Sequence, residues 1–309
     1  MDDLRETVAV VFNPTAGEGR PREFSEWLRK MFRDRGIRAR VLAPDRAGDV
    51  AGSVREAVAA GICTVVAAGG DGTVSAVASA LHGSAVPLGI LPLGTLNHFA
   101  RDVGIPLNVE RALDAIVAGR TVNVDVAVVN GRPFLNNSSL GFYPRIVRLR
   151  EQHKAHGLRK WLVYALAVLQ ELPHYHVVVE LDIEGRRITR RTPALMVGNN
   201  EYRMNGLEAA SRASLASGQL ALYILKPMGR FGLAKFLWRV FRGRADEGTE
   251  MEAIVAPSAR LSMRRPWLDV ACDGEVVRMR GPLEYRVMPG ALRVLSPSSP
   301  GHYPSPGPN

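Results

Sequence analysis

The apolar run Cys63-Thr64-Val65-Val66-Ala67-Ala68 passes without a break into Gly69-Gly70-Asp71-Gly72-Thr73, and small apolar residues from Val74 to Leu81 follow at once. A buried strand thus ends in glycines, and a helix starts immediately. Glycine lets a backbone turn sharply and lets another molecule approach it closely. The N–H groups that open a helix lack intrahelical partners and carry partial positive charge, so such a junction suits a phosphate. A tight turn alone needs one glycine, or two. Three glycines around a carboxylate and a hydroxyl point to a polyphosphate with its metal.

The same grammar runs through the first 125 residues. Thr7–Phe12 reads as a buried strand, and 21–35 as a helix with Phe24, Trp27, Leu28 and Met31 at helical spacing, closed by Gly36. A strand over 37–42, a helix over 49–60, a strand over 87–91 and a helix over 109–118 continue the alternation. Such alternation implies an α/β domain with a mainly parallel sheet covered on both faces. Ligands in these sheets collect at the carboxyl ends of the strands. Three Gly- or Asn-rich loops, 13–19, 69–73 and 92–97, fall at that edge.

From about residue 122 the pattern changes. Val122–Val129 runs into Asn130-Gly131, a two-residue hairpin signal, and 176–183 alternates before turning at Glu184-Gly185. Further strands are expected over 188–192, 194–197, 219–225, 259–263, 267–272, 276–280 and 283–287, with helices over 158–171 and 230–242. This half reads as a β-rich antiparallel sandwich. The expected division is 1–125, 126–296 and a disordered Pro/Ser/Gly-rich tail over 297–309, with a late strand free to return to the first domain.

Lys and Arg number 40 against 30 Asp and Glu, a net charge of +10. That balance favours polyanions: nucleic acid, an anionic membrane or phosphorylated substrates. No helix-turn-helix or aromatic–basic RNA motif accompanies it, so nucleic acid is the weakest of the three. Cys63 and Cys272 lie in apolar runs without metal-ligand spacing and read as structural thiols. The start is acidic and enters a strand directly, without a secretory pattern, and no apolar window reaches the roughly 18 residues of a membrane span. A soluble, cytoplasmic protein is expected.

Each candidate site residue has a plainer reading. Asn13-Pro14 with Gly17 can serve turn geometry alone. In Pro92-Leu93-Gly94-Thr95-Leu96-Asn97, Thr95 or Asn97 can cap the helix they open, or bond a ribose or phosphate. Asp273-Gly274-Glu275 is a preferred hairpin turn. Helix 230–242 gathers Phe231, Leu233, Phe236, Leu237, Val240 and Phe241 on one expected face with its cations elsewhere, which suits either packing on its own sheet or docking on an anionic membrane.

Taken together, Asn13-Pro14 with Gly17, Gly69-Gly70-Asp71-Gly72-Thr73, Pro92-Leu93-Gly94-Thr95 with Asn97, and Asp273-Gly274-Glu275 resemble the diacylglycerol kinase and sphingosine kinase catalytic-domain family, and its compact bacterial lipid kinases above all. The likeness spans residues 7–296. It implies an ATP–Mg²⁺ site in a cleft between the two domains, with Asn13, Gly17, Gly69, Gly70, Asp71, Gly72, Thr73, Gly94, Thr95 and Asn97 around the nucleotide and Asp71 near the metal. It also implies that Asp273 takes the proton of a lipid hydroxyl, with Glu275 nearby. Phosphoryl transfer asks mainly for positioning and charge neutralisation, with a carboxylate to orient the attacking hydroxyl.

Two departures stand out. Many members carry Asp where this chain has His98, so any such role is lost here or shifted to Asp71 and Glu275. Ala216 and Ser217 stand where some members hold a structural Mg²⁺ with acidic residues. The expected activity is an ATP-dependent lipid kinase, with diacylglycerol converted to phosphatidic acid, peripheral at the inner membrane surface. No nucleic acid or obligate protein partner is implied, and a homodimer is left open. The rivals are an NAD kinase-like enzyme sharing the glycine loop, and a lipid-binding or regulatory protein on a retired kinase fold.

Overall fold

The computed structural model describes residues 7–12, 21–44, 50–152, 175–203, 211–212, 214–241 and 250–297. The chain divides into two compact units: residues 1–126 with 289–309, and residues 127–288.

The first unit alternates as its sequence demands: β1 (Thr7–Phe12), α1 (Pro21–Arg33), β2 (Arg38–Leu42), α2 (Val50–Ala59), β3 (Val65–Gly69), α3 (Asp71–Leu81), β4 (Leu88–Pro92), a short α4 (His98–Asp102) and α5 (Val109–Ala118). Its strands lie in the order β2-β1-β3-β4, and every pair is parallel. All residues of β3 and β4 are buried, which is why both are apolar throughout rather than alternating. The helices bury stripes at helical spacing, Val50, Val54 and Ala57 on α2 and Val74, Val77, Ala78 and Leu81 on α3. Asn108 caps α5 by accepting the Arg111 N–H at 3.1 Å, and Gly119 ends it in the left-handed region.

The second unit begins within β5 (Thr121–Val129). It continues through β6 (Arg132–Phe134), β7 (Asn137–Gly141), α6 (Tyr143–Gln152), β8 (Val177–Ile183), β9 (Arg186–Thr192) and β10 (Ala194–Asn199). Two short strands, β11 (Tyr202–Arg203) and β12 (Ser211–Arg212), precede β13 (Leu220–Leu225), α7 (Arg230–Phe241) and β14 (Met251–Ala256). Last come β15 (Ser258–Ser262), β16 (Trp267–Cys272), β17 (Glu275–Arg280) and β18 (Leu283–Leu295). One antiparallel sheet runs β14-β13-β10-β7-β16-β17; β15, β8, β9 and the start of β18 pair separately, also antiparallel. Phe134, Leu181, Leu195, Leu222, Leu261, Val270 and Tyr285 from both groups form one core, so the sandwich expected from the alternating pattern is present. Each such large apolar side chain contributes about 1.5–3 kcal/mol on burial.

The three two-residue turns read from sequence take positive φ at both positions: Asn130-Gly131, Glu184-Gly185 and Asp273-Gly274. That is the condition for the hairpin turns that match strand twist. The end of β18 belongs to the first unit, where Val294 pairs in parallel with Leu88 of β4. There the buried Asp125 carboxylate accepts the Gly290 N–H at 2.8 Å.

Some elements escaped the sequence pattern. β14 is not expected from sequence, because Met251-Glu252-Ala253-Ile254-Val255-Ala256 lacks a clean two-residue alternation, and β7 and α6 are likewise unforeseen, whereas β6 returns antiparallel to β5 across the Asn130-Gly131 hairpin. The helix expected over 158–171 and the tail beyond 297 lie outside the described residues. The single apolar face expected for α7 is wrong: Leu233 is buried at 1% exposure whereas Phe231 stands 93% exposed. Two positions apart on a helix are about 200° apart, so these residues look in different directions. Cys63 is exposed and precedes the strand, while Cys272 is buried.

Candidate active site

In the first unit two loops meet through glycine. β3 and β4 are neighbours with Gly69 opposite Pro92, and the Leu93 N–H donates to the Gly69 carbonyl at 3.1 Å. A Cβ on Gly94 would lie 2.4 Å from the Gly70 Cα and 2.8 Å from the Asn97 Oδ1. A Cβ on Gly69 would meet the Thr73 Oγ1 at 2.5 Å. These glycines are therefore explained from within: the loops approach too closely for side chains. Gly72 is different. It is exposed, and nothing lies within 4 Å of the place its Cβ would occupy. The chain's own packing gives no reason for glycine there, one residue into α3.

Gly70 is the N-terminal flanking residue of α3, and no side chain caps that end. The N–H groups of the first turn accordingly remain available to an outside acceptor. The half-buried Asp71 opens the helix, and its Oδ1 accepts the Phe99 N–H at 3.3 Å, tying α3 to α4. Asn97 does not cap α4. Its buried amide spans one residue, with Oδ1 accepting the Gly94 N–H at 3.0 Å and Nδ2 donating to the Gly94 carbonyl at 2.7 Å. Asn97 thus shapes the loop. Thr95 is exposed at its rim, and His98 is half-buried at the start of α4. Asn13 and Gly17 lie outside the described residues.

In the second unit the hairpin tip between β16 and β17 is anchored by its own carboxylate. Asp273 Oδ2 accepts the Leu135 N–H at 2.8 Å; Oδ1 accepts those of Asn136 and Asn137 at 2.8 and 3.2 Å. The Asp273 N–H in turn donates to the Asn137 carbonyl at 2.9 Å. Hydrogen bonds to a charged acceptor are about twice as strong as neutral ones, so this carboxylate is held in a fixed direction. Glu275 pairs with Arg132 at 2.7 Å near the surface. Cys272, beside the tip, has its thiol pushed up to about 11 by burial.

The carbonyls of the same 135–137 segment are bound from elsewhere. Arg212 Nη1 donates to the Leu135 carbonyl at 2.6 Å and to the Asn199 carbonyl at 3.3 Å. Asn199 Nδ2 also donates to Leu135 at 2.9 Å, and the Asn199 N–H donates to the Asn136 carbonyl at 2.9 Å. The Arg212 guanidinium lies 6.0 Å from the Tyr202 ring centre. Asp273 therefore holds the N–H side of one short segment while Arg212 and Asn199 hold its C=O side. Sequence reasoning missed Arg212, Asn199 and Asn136. Gly198-Asn199-Asn200 at the end of an apolar strand was a usable signal for the amides, but nothing local marked Arg212.

Residues 7–129 match the diacylglycerol kinase catalytic domain, and residues 142–296 match the YegS C-terminal NAD kinase beta sandwich-like domain. Over 277 residues the chain is 32% identical to the probable lipid kinase YegS of Salmonella typhimurium, covering 86% of this chain and 89% of that one. The chain belongs to the YegS-type lipid kinase family. A second YegS, from Escherichia fergusonii, is 34% identical over 233 residues, which cover 72% of this kinase and 75% of the relative. In fold the kinase is similar to a crystal structure of a diacylglycerol kinase from Bacillus anthracis Sterne, with a TM-score of 0.66 and 22% identity over 94% of this chain and 97% of that one. As a family of kinases these proteins use ATP as phosphoryl donor.

Ser217, at a position where the resemblance expects an acidic residue, gives both its N–H and its hydroxyl to the Asn200 Oδ1. Among the described residues no three His, Cys, Asp or Glu side chains gather as a metal cluster. Also among the described residues, no helix is long and apolar enough to cross a membrane.

Proposed function

We propose that this lipid kinase transfers the γ-phosphoryl group of ATP to the hydroxyl of diacylglycerol at the cytoplasmic face of an anionic membrane, releasing ADP and phosphatidic acid. The observation that carries the nucleotide reading is Gly72, a glycine with open space around it at the uncapped start of α3. A phosphate that approaches the first-turn N–H groups gives that glycine its reason. Gly69, Gly70, Gly94 and Asn97 keep the two loops close, while Thr73, Thr95, Asn13 and Gly17 complete the proposed surroundings of ATP.

Mg²⁺ that rides on nucleotide phosphates needs only one or two carboxylates from the protein. Asp71, half-buried beside the uncapped helix start, fits that requirement and would hold it. The metal would supply neutralisation of phosphate charge. In the transfer itself the lipid hydroxyl oxygen forms a bond to the γ-phosphorus as the bond to the bridging oxygen of ADP breaks. Asp273 takes the hydroxyl proton, its carboxylate aimed by three backbone N–H groups. Glu275 adds negative charge at the same tip.

The test is an unbiased one. A total lipid extract is compared by mass spectrometry before and after incubation with the kinase, ATP and Mg²⁺, and phosphatidic acid should appear at the expense of diacylglycerol. Accumulation of a different phosphorylated lipid overturns the substrate; phosphorylation of NAD alone overturns the reading. Asp273→Asn should abolish turnover while ATP still binds. Its melting temperature must be followed too, because an amide cannot accept all three N–H groups and a loss of fold would mimic a loss of chemistry.

A further inference from the structure

α7 presents an outer stripe unlike that of an ordinary surface helix. Phe231, Lys235 and Trp238 are all exposed, Phe231 at 93% and Trp238 at 54%. At 100° per residue these three positions fall within about 60° of one another. The helix is anchored from its other side by buried Leu233, while Arg239, about 40° round from Lys235, pairs with Glu250 at the edge of the stripe. Two large aromatic rings with a cation between them therefore face outward from a fixed helix. Around them, from Lys226 to Ala245, the chain carries six cations and no acidic residue.

We propose that this stripe is where the kinase seats on an anionic lipid surface, Phe231 and Trp238 entering the boundary between headgroups and acyl chains while Lys235 meets lipid phosphates. The inference rests on the lipid-kinase reading above and names the part of the chain that meets the membrane. The chemistry of each residue fits. A tryptophan has an apolar body and a polar N–H suited to the interface. A lysine lays its aliphatic stem along apolar surface and keeps its ammonium at headgroup level. A phenylalanine almost wholly exposed in water gains by burial whatever the partner, but the excess of cations along 226–245, with Glu250 beside Arg239 as a counter-charge, selects an anionic surface.

Vesicles of phosphatidylcholine alone, and of phosphatidylcholine with phosphatidylglycerol, separate the contributions by sedimentation. The wild-type protein should favour the anionic vesicles. The double variant Phe231→Ser/Trp238→Ser should partition at least about a hundredfold more weakly, since burial of each large aromatic is worth roughly a factor of ten or more. Lys235→Glu should weaken binding several-fold at low salt, with the difference shrinking at high salt. Turnover of a short-chain diacylglycerol dispersed as monomers should be unchanged in all variants, because the stripe is no part of the phosphoryl-transfer machinery.

Unchanged vesicle binding in the double variant overturns the proposal. So does a parallel loss of turnover on the monomeric substrate, which would place the stripe in the reaction or the fold. A change in the free protein's oligomeric state, with vesicle binding intact, would make the stripe a contact between copies and overturn it equally. Stripe-dependent binding to anionic vesicles with no phosphorylation of any lipid would sustain the docking surface and sink the kinase reading instead.

Discussion

Gly70 and Gly94 shape their loop by having no side chains, whereas Asp273 shapes its loop with one. At the first site two backbones come so close that a single added carbon would lie 2.4 Å from a neighbouring Cα. Asn97 then fixes the pair by bonding both ends of the Gly94 residue. At the second, the backbone of Leu135, Asn136 and Asn137 is gripped on its N–H side by one carboxylate and on its C=O side by Arg212 and Asn199. The first arrangement leaves N–H groups at a helix start for a guest. The second uses up its N–H groups internally and so aims the carboxylate that takes them. An open helix start and a carboxylate held in one direction call for opposite solutions.

The sharpest way to break that contrast is to put a carbon on each glycine. Gly94→Ala should cost about 3 kcal/mol, because its clash is with backbone and cannot be relieved by a rotamer change. ATP binding should disappear with it, as read by calorimetry. Gly72→Ala should do the reverse: unfolding free energy unchanged or raised by up to about 1 kcal/mol, since alanine is the better helix former, with ATP affinity at least about tenfold weaker. If Gly72→Ala binds ATP as the wild type does, the open space beside it is not a phosphate seat.

The next largest effect probes the polar clamp. Arg212→Met keeps most of the side-chain volume and removes the donors to the Leu135 and Asn199 carbonyls. Asn199 Nδ2 still reaches Leu135, so the expected loss is about 1–3 kcal/mol in urea-denaturation free energy rather than collapse. Turnover should fall with it through misaimed Asp273, while the KM for ATP stays put. A fall in ATP affinity would show that the two sites are not independent in the way the comparison supposes.

The same contrast explains what could be read in the sequence. The glycine loop is contiguous with its strand and helix, so Gly69 to Thr73 announce themselves, and the alternation around them gave the parallel sheet. The Asp273 clamp joins segments more than 60 residues apart. Locally, Asp273-Gly274 is only a good hairpin turn, and it is that too. Arg212 lies on a two-residue strand with no periodicity to mark its burial. Residues 231–241 misled for a related reason: apolar content suggested one buried face, whereas the helix has apolar residues on opposite sides. Pattern reports what neighbours in sequence share, and these features depend on partners supplied from far along the chain.

The cysteines give a smaller, cleaner test of the tip. Cys272 is buried with its thiol pushed up to about 11, largely by that burial, and its Sγ lies 3.6 Å from the Ser138 Oγ. Cys63 is exposed. The thiolate is the reactive form, so near neutral pH the native kinase should take up one equivalent of an alkylating reagent, at Cys63, and a second only in denaturant. Labelling of Cys272 in the folded protein would show that the hairpin tip opens, and that the grip on Asp273 is looser than its hydrogen bonds suggest.

The smallest effect separates a buried fork from an exposed one. Arg190 binds Glu252 through two parallel hydrogen bonds, 2.7 and 2.8 Å, in better geometry than Arg212 achieves, yet both side chains keep substantial contact with water. Glu252 is held below its ordinary value of 4.5, chiefly by the hydrogen bond from Arg190. A carboxylate lowered on folding contributes its stability above the unfolded value and loses it as pH falls through the folded one. Comparing wild type with Glu252→Gln by urea denaturation should therefore show a difference of no more than about 1 kcal/mol at neutral pH, closing as the pH drops below 4.5. Arg190→Met should likewise cost less than Arg212→Met. If the exposed pair proved worth more than the buried guanidinium, hydrogen-bond geometry rather than burial would be what gives the Asp273 clamp its strength.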